Sequence, residues 1–391
     1  MIIDTADRLK VTKEYYFSVK LQEVRSLIAQ GKDIINIAIG NPDMAPSQST
    51  IDALNKQSNN PENHGYQPYR SIPELRASIQ AWTKKTYGIS LDSTDEILPL
   101  IGSKEGITHI SLAFLNPGDE VLVPELGYPA YGAVAEMVGA KAIKYPMVEG
   151  KNWRPDIPAI QNMNLSKVKI MWINYPNMPT GASAHKDVFR EIIDFGLKNK
   201  ILVCHDNPYS LVLNEGPPIS LLATPGAMDV AIELNSMSKS HNMAGWRIGW
   251  ASGGKSYIDA ILKIKSNVDS GMYKPMQLAA VEAFNNPESW HIARNEEYKR
   301  RREIVYTILD LLGCSYDRSQ TGMFLWAKIN PKIGSSDLLA DYLLYKKNIF
   351  VTPGFIYGDK GQNYIRVSLC VKPEILEKVK ERLKSFDMKE I

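Results

Sequence analysis

From residue 96 to residue 268 short apolar runs alternate with amphipathic ones. EILPLIG (96–102) precedes SKEGITHISLAFL, DEVLVPE (119–125) precedes YPAYGAVAEMVG, and KAIKYPM (141–147) follows that helical stretch. VKIMWINYP (168–176), the helical KDVFREIIDFGLKNK (186–200), ILVCHD (201–206), DVAIEL (229–234) and RIGWAS (247–252) continue the pattern. Runs that are apolar throughout suit strands covered on both faces. Strands separated by helices make parallel neighbours. The expected fold is therefore α/β, with a mostly parallel sheet built from seven such runs.

Residues 286–391 read differently: long helices, then GMFLWAKI (322–329), IFVTPG (349–354) and YIRVSLCV (364–371). The expected division is a large domain over 45–285 and a smaller α+β domain from 1–44 and 286–391, with DIINIAIG (33–40) packing into the latter. A chain of 391 residues can bury such cores without disulfides or metals.

Composition narrows the function classes. The net charge is only +3, and the densest basic stretch, EEYKRRREI (296–304), alternates with acids as a solvated helix face does, so no nucleic-acid partner is expected. Three scattered cysteines, Cys204, Cys314 and Cys370, fit a reducing cytoplasm, and Cys204 and Cys370, in apolar runs, read as buried thiols. The six histidines show no metal-ligand spacing, so no metal site is expected. No stretch approaches the length of a membrane span, and the N-terminus lacks the pattern of a signal peptide.

Polar motifs follow the carboxyl ends of the apolar runs, the edge where open α/β sheets bind ligands. Asp206 ends ILVCHD, with Tyr209 three residues on; alone, such an Asp is a cap or turn former. Gly102, Ser103 and Lys104 stand at a strand-to-helix step, where free N–H groups favour an anion. SMSKSHNMAGWRIGW (236–250) sets down Ser236, Lys239 and Arg247 after DVAIEL. Individually these are a surface lysine and an ion-pair arginine. Together they meet the needs of pyridoxal 5'-phosphate: an amine for its aldehyde, a carboxylate for the pyridinium nitrogen, a phenol for the ring hydroxyl and an arginine for the phosphate.

The ordered set resembles the fold-type I, class I aminotransferases over nearly the whole length. GNPD (40–43) resembles their pocket segment, and YQPYRSIPELR (66–76) the stretch whose tyrosine, Tyr66, reaches the partner's phosphate. GSKEG resembles the phosphate turn, and ELGYPAY (125–131) the segment whose aromatic, Tyr128, stacks on the pyridine. NYPNMPTG, DNPY and SMSKSHNMAGWRIG follow in order, then YIRVSL, whose Arg366 would hold the substrate carboxylate with help from Gly40. The resemblance implies that Lys239 is the Schiff-base lysine and proton carrier, with Asp206 on the ring nitrogen and Tyr209 on the ring hydroxyl. Ser236, Arg247, Ser103 and Lys104 would bind phosphate, and Gly245 and Gly249 would let the backbone approach around Arg247. It further implies a homodimer in which Tyr66 and SGMY (270–273) complete the neighbouring site.

Two positions depart from that pattern. Met178 stands before PTG where the family has asparagine, and a thioether cannot donate; either Asn177 turns in to bind cofactor and substrate, or Tyr209 serves alone. Ser71 stands where the family has glycine. The expected reaction is ping-pong transfer of an amino group from an L-amino acid to a 2-oxo acid. A C–S β-lyase uses the same residues and stays open as an alternative. So does a more distant one: GWASGGKS (249–256) matches the P-loop pattern, with Lys255 as its phosphate lysine. The substrate side chain is not specified; Arg25, Lys20 or Lys274 are candidate second cations, and Tyr15 and Tyr16 candidate pocket aromatics.

Overall fold

All seven apolar runs pair edge to edge in a computed structural model, which describes residues 3–11, 14, 16–214 and 216–391. They are β1 (Ile97–Leu100), β2 (Glu120–Pro124), β3 (Lys141–Tyr145), β4 (Val168–Asn174), β5 (Leu202–Asn207), β6 (Ala231–Ser236) and β7 (Gly249–Gly253). Their spatial order is β1-β7-β6-β5-β4-β2-β3. Every ladder from β6 to β3 is parallel, while β7 runs antiparallel to both neighbours. The excursion between β6 and β7 holds only a one-turn α-helix and a 3₁₀ turn, without a crossover helix to carry the chain back to the sheet's other end. The chain therefore returns beside the strand it left, in the opposite sense.

The sheet is apolar on both faces because successive side chains alternate sides. Leu98, Val121, Ile170, Trp172 and Ile232 join one core cluster. Ile97, Leu122, Met171, Ile173 and Ala231, each one residue displaced, join the other. Trp172 is fully buried, and its truncation to Ala would cost about 3–5 kcal/mol. The outermost strand β3 shows exposed Lys141 and Lys144, charges that blunt a free edge. β7 starts two residues later than RIGWAS suggests, because Arg247 has φ +57°, outside the extended region.

Four helices matter for the site: α1 (Tyr16–Ala29), α2 (Ser103–Phe114), α3 (Met237–Ser240) and α4 (Glu288–Leu311). After α4 a small antiparallel sheet joins Ser315–Tyr316, Phe324–Lys328, Tyr364–Ser368 and Thr352–Pro353, in that spatial order. Ile35–Asn36 pairs in parallel with Ile349–Phe350, and Phe17, Val24, Ala38, Leu344 and Phe350 share one apolar cluster. Residues before 40 therefore pack with the C-terminal part. Among the described residues no helix is long and apolar enough to cross a membrane.

Candidate active site

A cavity of about 520 Å³ opens at the carboxyl edge of the large sheet. It gathers Gly40, Ser103, Lys104, Tyr128, Asp206, Tyr209, Ser236, Lys239, Arg247 and Arg366 from the residues singled out above. The antiparallel course of β7 brings Arg247, at its start, to the same edge as the ends of β5 and β6.

In one part of the cavity Gly102, Ser103, Gly249 and Arg247 crowd together. Gly102 precedes α2 with φ +82°, and a Cβ there would stand 2.1 Å from Arg247 Nη2. At Gly249 a Cβ would stand 2.7 Å from the Ser103 amide nitrogen. Both glycines thus let backbone and guanidinium approach. Gly245 has open space at that position, so close approach around Arg247 does not use it. Ser236 caps α3, its Oγ accepting from the Ser238 amide at 3.1 Å, and Ser238 also lines the cavity. Arg247 Nη1 donates to the Ala244 carbonyl at 2.8 Å.

Lys239 sits on α3 with Nζ donating to the Gly40 carbonyl. Burial, with Arg366 and Arg247 as nearby cations, holds its ammonium below the ordinary lysine range. Asp206 lies near the end of β5. Its Oδ2 accepts from the Tyr131 hydroxyl at 2.9 Å, while the buried Oδ1 has no partner. Burial lifts this carboxyl to about 6, against the opposing pull of Tyr131 and His205. Tyr209 packs edge-on to Phe324, and burial keeps its phenol protonated as a donor.

At the other end Arg366 Nη2 donates to the Ala38 carbonyl at 2.8 Å and Nη1 lies 3.2 Å from Met178 Sδ. The guanidinium carbon sits 3.8 Å from the Phe324 ring centre. A Cβ on Gly40 would collide with that same ring.

Asn177 is not brought into the cavity. Its carboxamide donates to the Asn174 carbonyl and accepts from Thr180 N and Oγ1, closing the turn on itself. Met178 lines the cavity instead, as does Tyr209. Tyr66 is 93% exposed and lies away from the cavity, beside Ser270–Tyr273 in a shallow surface depression. Ser71 adopts φ +68°, the left-handed conformation that glycine takes without strain. Tyr15 lies outside the described residues; Tyr16 packs on Phe17 and Phe355, and it is Phe17 that reaches the cavity. Lys20 is engaged by Glu23 at 3.0 Å and Asp341 at 3.2 Å.

Tyr131 escaped sequence reasoning, although ELGYPAY contains it; only the fold shows that it stacks on Trp172 and reaches Asp206. Asn174 was missed likewise: its side chain joins the Met178 amide to the Asp206 carbonyl.

The P-loop alternative fails on geometry. Gly249–Gly253 is itself strand β7, and the following helix starts at Lys255 with no loop left to wrap a phosphate. Lys255 Nζ pairs with Asp95 at 3.0 Å and Asp259 at 3.1 Å, outside the cavity.

The residues present fit pyridoxal 5'-phosphate. Asp206 offers an unpaired buried carboxylate oxygen for a cationic ring nitrogen, and the Gly102–Arg247 cradle has the shape and charge for a phosphate.

Comparison with known proteins agrees. The family profile for aminotransferase class I and II matches residues 32–383. The chain is 40% identical over 372 residues to an LL-diaminopimelate aminotransferase of Dehalococcoides mccartyi, covering 95% of this chain and 96% of that one. It is 38% identical to the LL-diaminopimelate aminotransferase of Aquifex aeolicus, over 99% of this chain and 100% of the other. Among solved structures, apo BacF from Bacillus subtilis superposes with a TM-score of 0.94 at 32% identity, with 98% of each chain covered. These matches favour transamination over the C–S β-lyase alternative. The chain belongs to the aminotransferase class I and II family, and is a fold-type I, pyridoxal-phosphate-dependent aminotransferase that moves an amino group from an amino acid to a 2-oxo acid.

Proposed function

We propose that Lys239, Asp206 and Tyr209 carry the transamination, and that its amino donor is an L-amino acid with a long aliphatic stem, LL-diaminopimelate first among them. One observation carries the assignment of roles: Lys239, Arg247 and Arg366 line a single cavity, with both arginines near enough to lower the Lys239 ammonium pKa.

When bound, pyridoxal phosphate supplies an aldehyde for the amine and an electron-poor ring that stabilises negative charge at the substrate Cα. Asp206 Oδ1 would hold the ring nitrogen's proton, and that cation would draw the carboxyl back below 6. Tyr209 would donate to the ring hydroxyl and Tyr128 would pack against the ring, while Ser103, Lys104, Ser236 and Arg247 would hold the phosphate. Arg366 grips the substrate carboxylate, orienting the Cα–H bond toward Lys239. The lowered ammonium pKa leaves more of Nζ neutral near pH 7, ready to take the Cα proton.

Phe17, Leu21 and Ile39 give the cavity an apolar wall suited to methylenes. The names of the relatives at 38–40% identity point to diaminopimelate. The same reading makes the enzyme a homodimer: the exposed Tyr66, grouped with Ser270–Tyr273 on the surface, supports a shared site completed by the partner. It also keeps 45–285 as the cofactor domain, with 1–44 and 286–391 as the smaller one, in the cytoplasm, where three unpaired thiols persist.

The test is a half-reaction. Single amino acids are added to the loaded enzyme without an oxo acid, and the bound cofactor's absorbance is followed. LL-diaminopimelate should convert it fastest, and a 2-oxo acid should reverse the change. Faster conversion by aspartate or glutamate would reject the donor assignment.

A further inference from the structure

Helix α4 carries two buried arginines, Arg294 and Arg301, two turns apart and so on one face. Arg294 Nη1 donates to the Ser240 carbonyl and Nη2 to the Leu211 carbonyl, with Asn295 Oδ1 at 3.2 Å from Nη2. Ser240 directly follows Lys239, and Leu211 lies two residues beyond Tyr209. Arg301 Nη1 donates to Asp43 at 2.6 Å and to the Leu369 carbonyl at 3.1 Å. Asp43 lies three residues beyond Gly40, whose carbonyl accepts from Lys239, and Leu369 lies three residues beyond Arg366. One helix face thus ties the proton carrier's turn, the phenol's loop and the carboxylate clamp's strand to a common rod.

Arg294 makes this connection at a cost. Only 4% of it is exposed, its Nε has no partner, and among the described residues no carboxylate pairs with it. Its other neighbours are aromatic: Trp290, whose ring centre is 5.6 Å away, and His291. Burial lowers the guanidinium to about 10 and holds His291 down to about 4, so His291 does not add a second cation at neutral pH. An apolar side chain would fill the same space without burying a charge. What the guanidinium adds is a planar fork able to reach two carbonyls from different loops at once.

We propose that Arg294 is a positioning residue for transamination, a bracket that fixes Lys239 and Tyr209 relative to the Arg366 clamp through helix α4. The proposal rests on the roles assigned above to those three residues.

Arg294→Met and Arg294→Lys test it in the full-length, cofactor-loaded enzyme. The readouts are kcat, KM for the amino acid, the pH midpoint of the bound cofactor's absorbance, and Tm. A misplacement of Lys239 by about 1 Å lowers kcat about 100-fold. Arg294→Met should show that loss with KM within about twofold and a displaced pH midpoint, since the setting of Lys239 changes while the clamp is retained. Arg294→Lys keeps one donor and should recover part of both. If Arg294→Met loses only Tm, with kcat and pH midpoint at wild-type values, the bracket is structural and the proposal falls. Should Arg294→Met fail to fold, Arg294→Lys decides on the same two readouts. Failure of the underlying roles looks different: wild type and Lys239→Ala would then share one absorbance spectrum.

Discussion

The two ends of the cavity are built in opposite ways. The Arg247 end comes from two short segments, residues 102–104 and 236–249, in which glycines, serines and one arginine crowd together. The Arg366 end draws Phe17, Ala38, Gly40, Met178, Phe324 and Tyr357 from elements scattered along the whole chain. Local chain geometry suffices to hold a phosphate, because backbone N–H groups and helix starts supply most of what an anion needs. Selecting a substrate needs walls, and walls come from tertiary packing.

That contrast can be broken experimentally, beginning between the two ends. Lys239→Ala should lower transamination about 10⁴-fold, the upper range for loss of a general base, measured as single-turnover conversion of added amino acid. More than a few per cent residual rate would remove Lys239 from the chemistry. Next come the arginines. Arg366→Met should lower kcat/KM for the amino acid about 100-fold while cofactor affinity stays unchanged, as expected for a lost charged hydrogen bond. Arg247→Met should do the reverse, weakening cofactor binding by a similar factor with KM nearly unchanged at saturating cofactor. Equal effects of both variants on both constants would show that the ends are not separable.

A smaller effect concerns Asp206 in cofactor-free protein. Its carboxyl is raised to about 6 in the fold, against 3.8 unperturbed. An acid with a raised folded pKa penalises the native state wherever it is ionised, so the penalty grows as pH rises from about 4 to 6 and vanishes below that window. Asp206→Asn should therefore stabilise the cofactor-free protein by about 3 kcal/mol at pH 7 and by nothing at pH 3.5. Urea melts at the two pH values check it; a pH-independent difference would mean that Asp206 is not the titrating group. Smallest of all, Ser71→Gly should gain about 1 kcal/mol by relieving a left-handed serine, with kcat and KM untouched. Any change in catalysis would tie that turn to the site.

The same contrast explains what could be read from the sequence. The seven strands were legible because short, mostly apolar runs alternate with amphipathic ones, and the motifs after them because strand ends share an edge. Even so, β7 starts only at Gly249, since an arginine in a left-handed conformation carries no periodic signature. Asn177 looked like a substitute donor for want of a nearer amide. Its carboxamide closes its own turn, which spacing alone does not reveal. Tyr131 and Phe17 were invisible as site residues because what makes them so is a distant partner, Asp206 for one and the Arg366 clamp for the other. Arg301 lies in the stretch EEYKRRREI, which reads as a solvated helix face, yet its guanidinium is buried against Asp43 and the Leu369 carbonyl.

The reversed strand β7 has a mechanical consequence. Because β6 and β7 are adjacent and antiparallel, Lys239 and Arg247 ride on one excursion anchored at both feet to the same sheet. The lysine and the phosphate cradle therefore travel as one body.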